Sequence, residues 1–199
     1  MSAPPVATAP SRPDTAPGAR PPSRGSWATL AVLGVILLVV LGGYLTAAVL
    51  SEPAGQPVRI AGVVSIRPLS GWVVADTPIG VPTVNVTRGS GNLDTTVFFS
   101  GSADPGTLAD HYIEVLSGEL SQLSVSRQFS AVRLSSGLRG IRFGYIGVVA
   151  GTGTSIEGEV TVVIASEHGV VFDGWAPAGL LSFVRSDIDT MIDRAEVGR

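Results

Sequence analysis

One uncharged run, WATLAVLGVILLVVLGGYLTAAVL from Trp27 to Leu50, constrains the rest of the chain. As a helix its 24 residues rise about 36 Å, enough to cross a hydrocarbon core of about 30 Å. Trp27 and Tyr44 lie near its two ends, where aromatic side chains favour membrane interfaces. Arg12, Arg20 and Arg24 precede the run and Glu52 follows it, so the positive-inside bias places the N-terminus in the cytoplasm and the rest outside. The apolar core of a cleaved signal peptide runs to about 7–15 residues. This longer run reads as a retained single-pass anchor in the plasma membrane, with the lipid bilayer as its partner.

The flanks divide accordingly. Residues 1–26 hold seven of the 14 prolines and few large apolar side chains, which predicts a disordered, Pro/Ala/Arg-rich cytoplasmic tail. Residues 51–57 form a linker in which Pro53 and Pro57 stop the helix from continuing. Residues 58–199 have the length of one extracytoplasmic domain.

Composition narrows the function of that domain. With no Cys, the chain has no disulfides, thiolate nucleophile or cysteine zinc site, and with no Lys it has no Walker phosphate loop or Schiff base. Residues 51–199 carry ten Arg against 15 acidic side chains, a balance of −5, which argues against nucleic acid as a partner. Arginine as the sole strong base, with abundant Ala, Gly, Pro and Val, is the usage a G+C-rich bacterial genome imposes.

Hydrophobic spacing predicts strands over 58–66, 72–75, 82–87 and 95–100, with a turn at Gly91–Asn92. A helix opens at Asp104 and Pro105, an acidic N-cap and a proline at the first helical position, and buries Leu108, Tyr112, Val115, Leu116 and Leu123. Strands then return over 126–134, 141–149, 156–166 and 170–175. Val160–Ala165, apolar on both faces, should be the most buried of them. A closing amphipathic helix from about Ala178 buries Leu181, Val184, Ile188, Met191 or Ile192, and Ala195, and turns Arg185, Asp189 and Asp193 outward. This order predicts an α+β fold, an antiparallel sheet covered by helices on both faces and preceded by one transmembrane helix.

Arg-Pro-Leu-Ser-Gly-Trp at Arg67–Trp72, the mid-domain helix, two long strands from about Leu138 and Ile156, and the closing segment Ala176–Val197 resemble the PsbP-like α/β/α sandwich superfamily. LpqN-type actinobacterial envelope proteins belong to that superfamily. The resemblance implies the fold and a habit of acting as a non-catalytic accessory or binding module. It supplies no catalytic residues, and this chain lacks the anchoring cysteine of the lipoprotein members.

Candidate chemistry is sparse. His111 and Glu114, three apart on the first helix, share a face, the minimum for an acid/base or two-ligand metal pair. His168 reads as a turn residue, Asp189 as the partner of Arg185, and Trp72 and Trp175 as core. Arg127 and Arg133, in the one basic stretch of the domain, are the candidate binding residues, together with the loops 89–92 and 101–105. No cofactor or metal is implied. The leading expectation is a membrane-anchored, non-enzymatic binding or scaffolding module of a bacterial envelope, its partner an unidentified envelope protein or polymer. The alternatives are a metal-dependent or hydrolytic envelope enzyme using His111 and Glu114, and a single-span sensor.

Overall fold

The computed structural model describes residues 55–75, 82–98, 104–165 and 167–198. The expected tail, membrane span and most of the linker lie outside the described residues. Among those described, no helix is long and apolar enough to cross a membrane.

The chain opens with a hairpin, β1 (Val58–Ile60) and β2 (Val64–Ile66), in place of the single strand expected over 58–66. Ala61 and Gly62 both take positive φ, 50° and 73°, the geometry that reverses a chain between two short strands. The strands β3 (Val73–Val74), β4 (Thr83–Arg88) and β5 (Gly91–Phe98) follow. The β4–β5 turn sits at Gly89–Ser90, and Gly91 already pairs with Arg88, so the expected turn at Gly91–Asn92 is displaced.

Helix α1 (Pro105–Glu119) starts where the sequence puts it: Asp104 accepts the Thr107 N–H at 2.9 Å. It buries Leu108, Ala109, Tyr112 and Leu116, while Val115 is exposed. Leu123 belongs to the next strand, because Leu120 turns extended and pairs with Val149.

The remaining strands are β6 (Leu120–Val125), β7 (Ser130–Arg133), β8 (Arg139–Val149), β9 (Ser155–Ala165) and β10 (His168–Pro177). Helix α2 (Leu181–Asp193) and β11 (Glu196–Val197) close the chain. His168 is thus a strand residue. Nothing in the hydrophobic spacing announces β11, which joins β2 to make a separate three-stranded sheet.

The main sheet is antiparallel throughout, in the order β3-β4-β5-β10-β9-β8-β6, with β7 also on β8. Val160 to Val163 of β9 are buried, as expected. The longer buried run, Gly169–Gly174, belongs to β10 at the centre of the order.

Alternate residues of β10 face opposite helices. A side chain on Gly169 would strike Leu108 of α1, and one on Gly174 would strike Ile188 of α2. Two cores result. Leu108, Tyr112 and Leu116 pack on Phe143, Val160, Val162 and Val171. On the other side Val184, Ile188, Met191 and Ile192 pack with Leu93, Val97, Phe172 and the Ile60–Ile66 hairpin. Each fully buried aliphatic side chain contributes roughly 1.5–3 kcal/mol.

Helix α2 has no capping side chain of its own. Glu157 of β9 supplies it, accepting the N–H groups of Gly179 at 3.0 Å and Leu181 at 2.9 Å. Arg185 pairs with Glu159, and Asp189 with Arg142 at 2.9 Å, so the expected Arg185–Asp189 pair is replaced by two bridges from helix to sheet.

Candidate functional site

Helix α1 packs chiefly over β6, β8 and β9, and leaves the same face of β4 and β5 only half covered. Those strands alternate to suit: Val86, Leu93 and Val97 are buried toward α2, while Asn85, Asp94 and Thr96 stay half-buried on the α1 side. A cleft of about 510 Å³ opens along this border, within the range of small-ligand sites. A broader hollow of about 650 Å³ lies along the outward side of α2. It is lined by that helix and Arg194 just after it and has no aromatic wall, so the cleft is the better-formed site.

The floor of the cleft is Asp173, 3% exposed. The Tyr112 hydroxyl donates to its Oδ2 at 2.9 Å, and the Tyr145 hydroxyl reaches Oδ1 at 3.0 Å and Oδ2 at 3.1 Å. Tyr145 reaches so far because its ring lies across Gly158 of β9, where an added Cβ would sit 2.4 Å from ring carbons.

Asn85, Asp94, Asp173, Val160 and Phe143 form one row across five strands, which sets the two carboxylates side by side. Like charges opposite one another oppose pairing, and both are held by donors. Asp94 accepts the Asn85 amide and the Trp175 indole N–H, each at 2.7 Å. The hydroxyls of Thr83 and Thr96 meet at 3.0 Å beside them. Burial, helped by the charges of Asp94 and Glu119, pushes the Asp173 carboxyl up to about 7 against the lowering effect of its two tyrosine donors. Burial and then the Asp173 charge raise both phenols far above their ordinary range, which keeps them protonated as donors.

The candidate catalytic and binding residues named from sequence lie elsewhere. His111 and Glu114 approach to 3.7 Å on α1 with side chains 58% and 82% exposed, and the His111 ring meets the edge of Phe98 at the rim. Among the described residues, no three His, Asp or Glu side chains gather as metal ligands. Arg127 is exposed in the β6–β7 connection, and Arg133 is exposed at the end of β7, its Nε 3.5 Å from the Gly137 carbonyl. The Gly89–Ser90 turn lies at the other side of the sheet, with β10, β9 and β8 between. The structure therefore does not bring these arginines together with that turn. Of the candidate loop 101–105, residues 101–103 lie outside the described residues. Trp72 is core, with its indole donating to Asp187 at 3.0 Å, whereas Trp175 is half-buried in the cleft wall. Sequence reasoning missed Asp94 and Asp173. A lone acid inside Val170–Trp175 was the one signal for Asp173.

No family model matches the chain, and no curated protein matches it in sequence. Solved structures match its shape. The solution structure of cyanobacterial PsbP (CyanoP) from Synechocystis superposes with a TM-score of 0.53 at 16% identity, over 72% of this chain and 92% of that one. The fold is PsbP-like. The Saccharomyces cerevisiae Ran-binding protein Mog1p gives 0.52 at 11% identity, over 73% of this chain and 96% of its own. LpqN of Mycobacterium tuberculosis, described as involved in cell envelope biogenesis, gives 0.49 at 12% identity, over 74% and 87%. The likeness read from Arg67–Trp72 and the closing helix thus holds for the fold. Identities this low carry over no residue roles.

Proposed function

We propose that this chain is a non-enzymatic binding module of a bacterial envelope. Residues 27–50 hold it in the plasma membrane with residues 1–26 in the cytoplasm and residues 58–199 outside, and an envelope protein or polymer is its partner. The cleft between α1 and β4–β5 carries this reading. It is half-open, partly apolar and fitted with fixed hydrogen-bonding groups, as binding sites are. Both oxygens of Asp173 already accept tyrosine hydroxyls, so the group at its floor serves architecture and recognition. Mog1p, of the same fold, is a Ran-binding protein. The exposed Arg127 and Arg133 supply a second contact on the far side of the sheet.

A photocrosslinking side chain at Val115 on the cleft wall should capture one discrete partner in living cells, while the same group at Ser182 on α2 should not. The double substitution Arg127→Ser with Arg133→Ser should weaken that capture without changing thermal stability, since exposed charges contribute about 0–1 kcal/mol. Capture from Ser182 alone, or from neither site, defeats the reading. Protease added to intact spheroplasts should degrade the C-terminal domain and spare an N-terminal tag, and the reverse pattern overturns the orientation.

A further inference from the structure

The cleft has a chemical preference as well as a shape. Its described lining includes the acidic side chains Asp94, Glu119 and Asp173 and no Arg or His. The rings of Phe98, Tyr112, Tyr145 and Trp175 share its walls. Aromatic faces attract cations, most strongly where water is excluded. Leu116, Leu120 and Ile156 continue the lining with purely aliphatic surface, which suits a methylene stem.

Asp94 also keeps acceptor capacity to spare. Each oxygen of Asp94 already accepts one donor, Asn85 on Oδ1 and Trp175 on Oδ2, which leaves one lone pair on each for a further donor. An ammonium carries three donors on a single centre and reaches separate lone pairs on neighbouring carboxylates. The chain has no Lys, so none of its own side chains carries such a group.

Resting on the binding-module reading above, we propose that the cleft takes a primary ammonium at the end of an aliphatic chain. The test uses the full-length, ¹⁵N-labelled chain in detergent micelles, with the Trp175 indole resonance, assigned through Trp175→Phe, as the reporter. Pentylammonium should shift that resonance at concentrations at least tenfold below those of pentanol, and added salt should weaken the effect. Asp94→Asn should weaken binding tenfold or more. Glu119→Gln, on an exposed side chain whose loss leaves the fold intact, should weaken it severalfold.

Comparing Nα-acetyl-lysine methylamide with cadaverine separates the two sources of this chemistry. Tighter binding of the former points to a polypeptide lysine, and tighter binding of the latter to a free diamine. Equal binding of pentanol and pentylammonium overturns the proposal, as does indifference to both carboxylate variants. If pentylammonium fails while Val115 still captures a partner, the ligand class is wrong and the binding-module reading stands. If both fail, both readings fall.

Discussion

Asp173 shows how one residue can couple the site to the stability of the sheet. Its carboxyl rises from an ordinary 3.8 to about 7 in the folded chain, chiefly through burial, with Asp94 and Glu119 adding to the effect. A raised folded value means that the native state holds a proton the unfolded chain has lost. This contribution to stability is therefore complete below about pH 3.8, falls as pH rises through 7, and is absent above that. At 1.36 kcal/mol per unit the effect is on the order of a few kcal/mol. Asp173→Asn mimics the neutral form and should remove the dependence. Urea unfolding at pH 8 should find the variant as stable as the parent or more so, with the parent recovering at pH 5. An equal loss at both pH values would show instead that the carboxyl is needed for its shape alone.

At the scale of elements, the two helices show what a sequence discloses and what it conceals. The start of α1 was legible because its cap is local: Asp104, the proline after it and the Thr107 N–H lie within four residues. The start of α2 was not, because Glu157 caps it from a strand in the middle of the sheet, and the helix begins at Leu181 instead of near Ala178. The cleft was hidden for a similar reason. Asp94 and Asp173 become neighbours only through the pairing of β5 with β10, and Tyr112 joins them only because α1 folds back over that face. Spacing along the chain marked Tyr112 as buried but could not say what its hydroxyl would meet. The remote cap is testable. Glu157→Ala should cost about 1–2 kcal/mol in urea unfolding, the loss of a cap together with its charge at the helix N-terminus. Glu114→Ala, which breaks only an exposed i,i+3 pair, should cost about 0.5 kcal/mol or less. Similar costs for the two would mean that Glu157 does not hold the helix.

For the whole molecule, the sheet separates two cores that do different work. The α2 side joins the far ends of the described chain: β11 pairs with β2, the Gly198 N–H donates to the Val63 carbonyl at 2.6 Å, and Ala195 is buried in the same cluster as Ile60 and Val64. The α1 side holds the cleft. Removing residues 196–199 should strip the second sheet to a bare hairpin. With a few hydrogen bonds lost at about 0.5–1.5 kcal/mol each, the loss should total about 2–3 kcal/mol. For a chain of this size each kcal/mol lowers Tm by about 2–4 °C, so a fall of roughly 4–12 °C is expected by calorimetry. The cleft should survive that loss, because Tyr112, Tyr145 and Asp173 are bonded to one another across the opposite face and none touches the second sheet. The Trp175 indole resonance of the truncated chain should therefore match the parent's below the lowered midpoint. A shifted resonance would show that strain crosses the sheet through β10, whose alternate residues serve both cores, and that the two faces act as one unit.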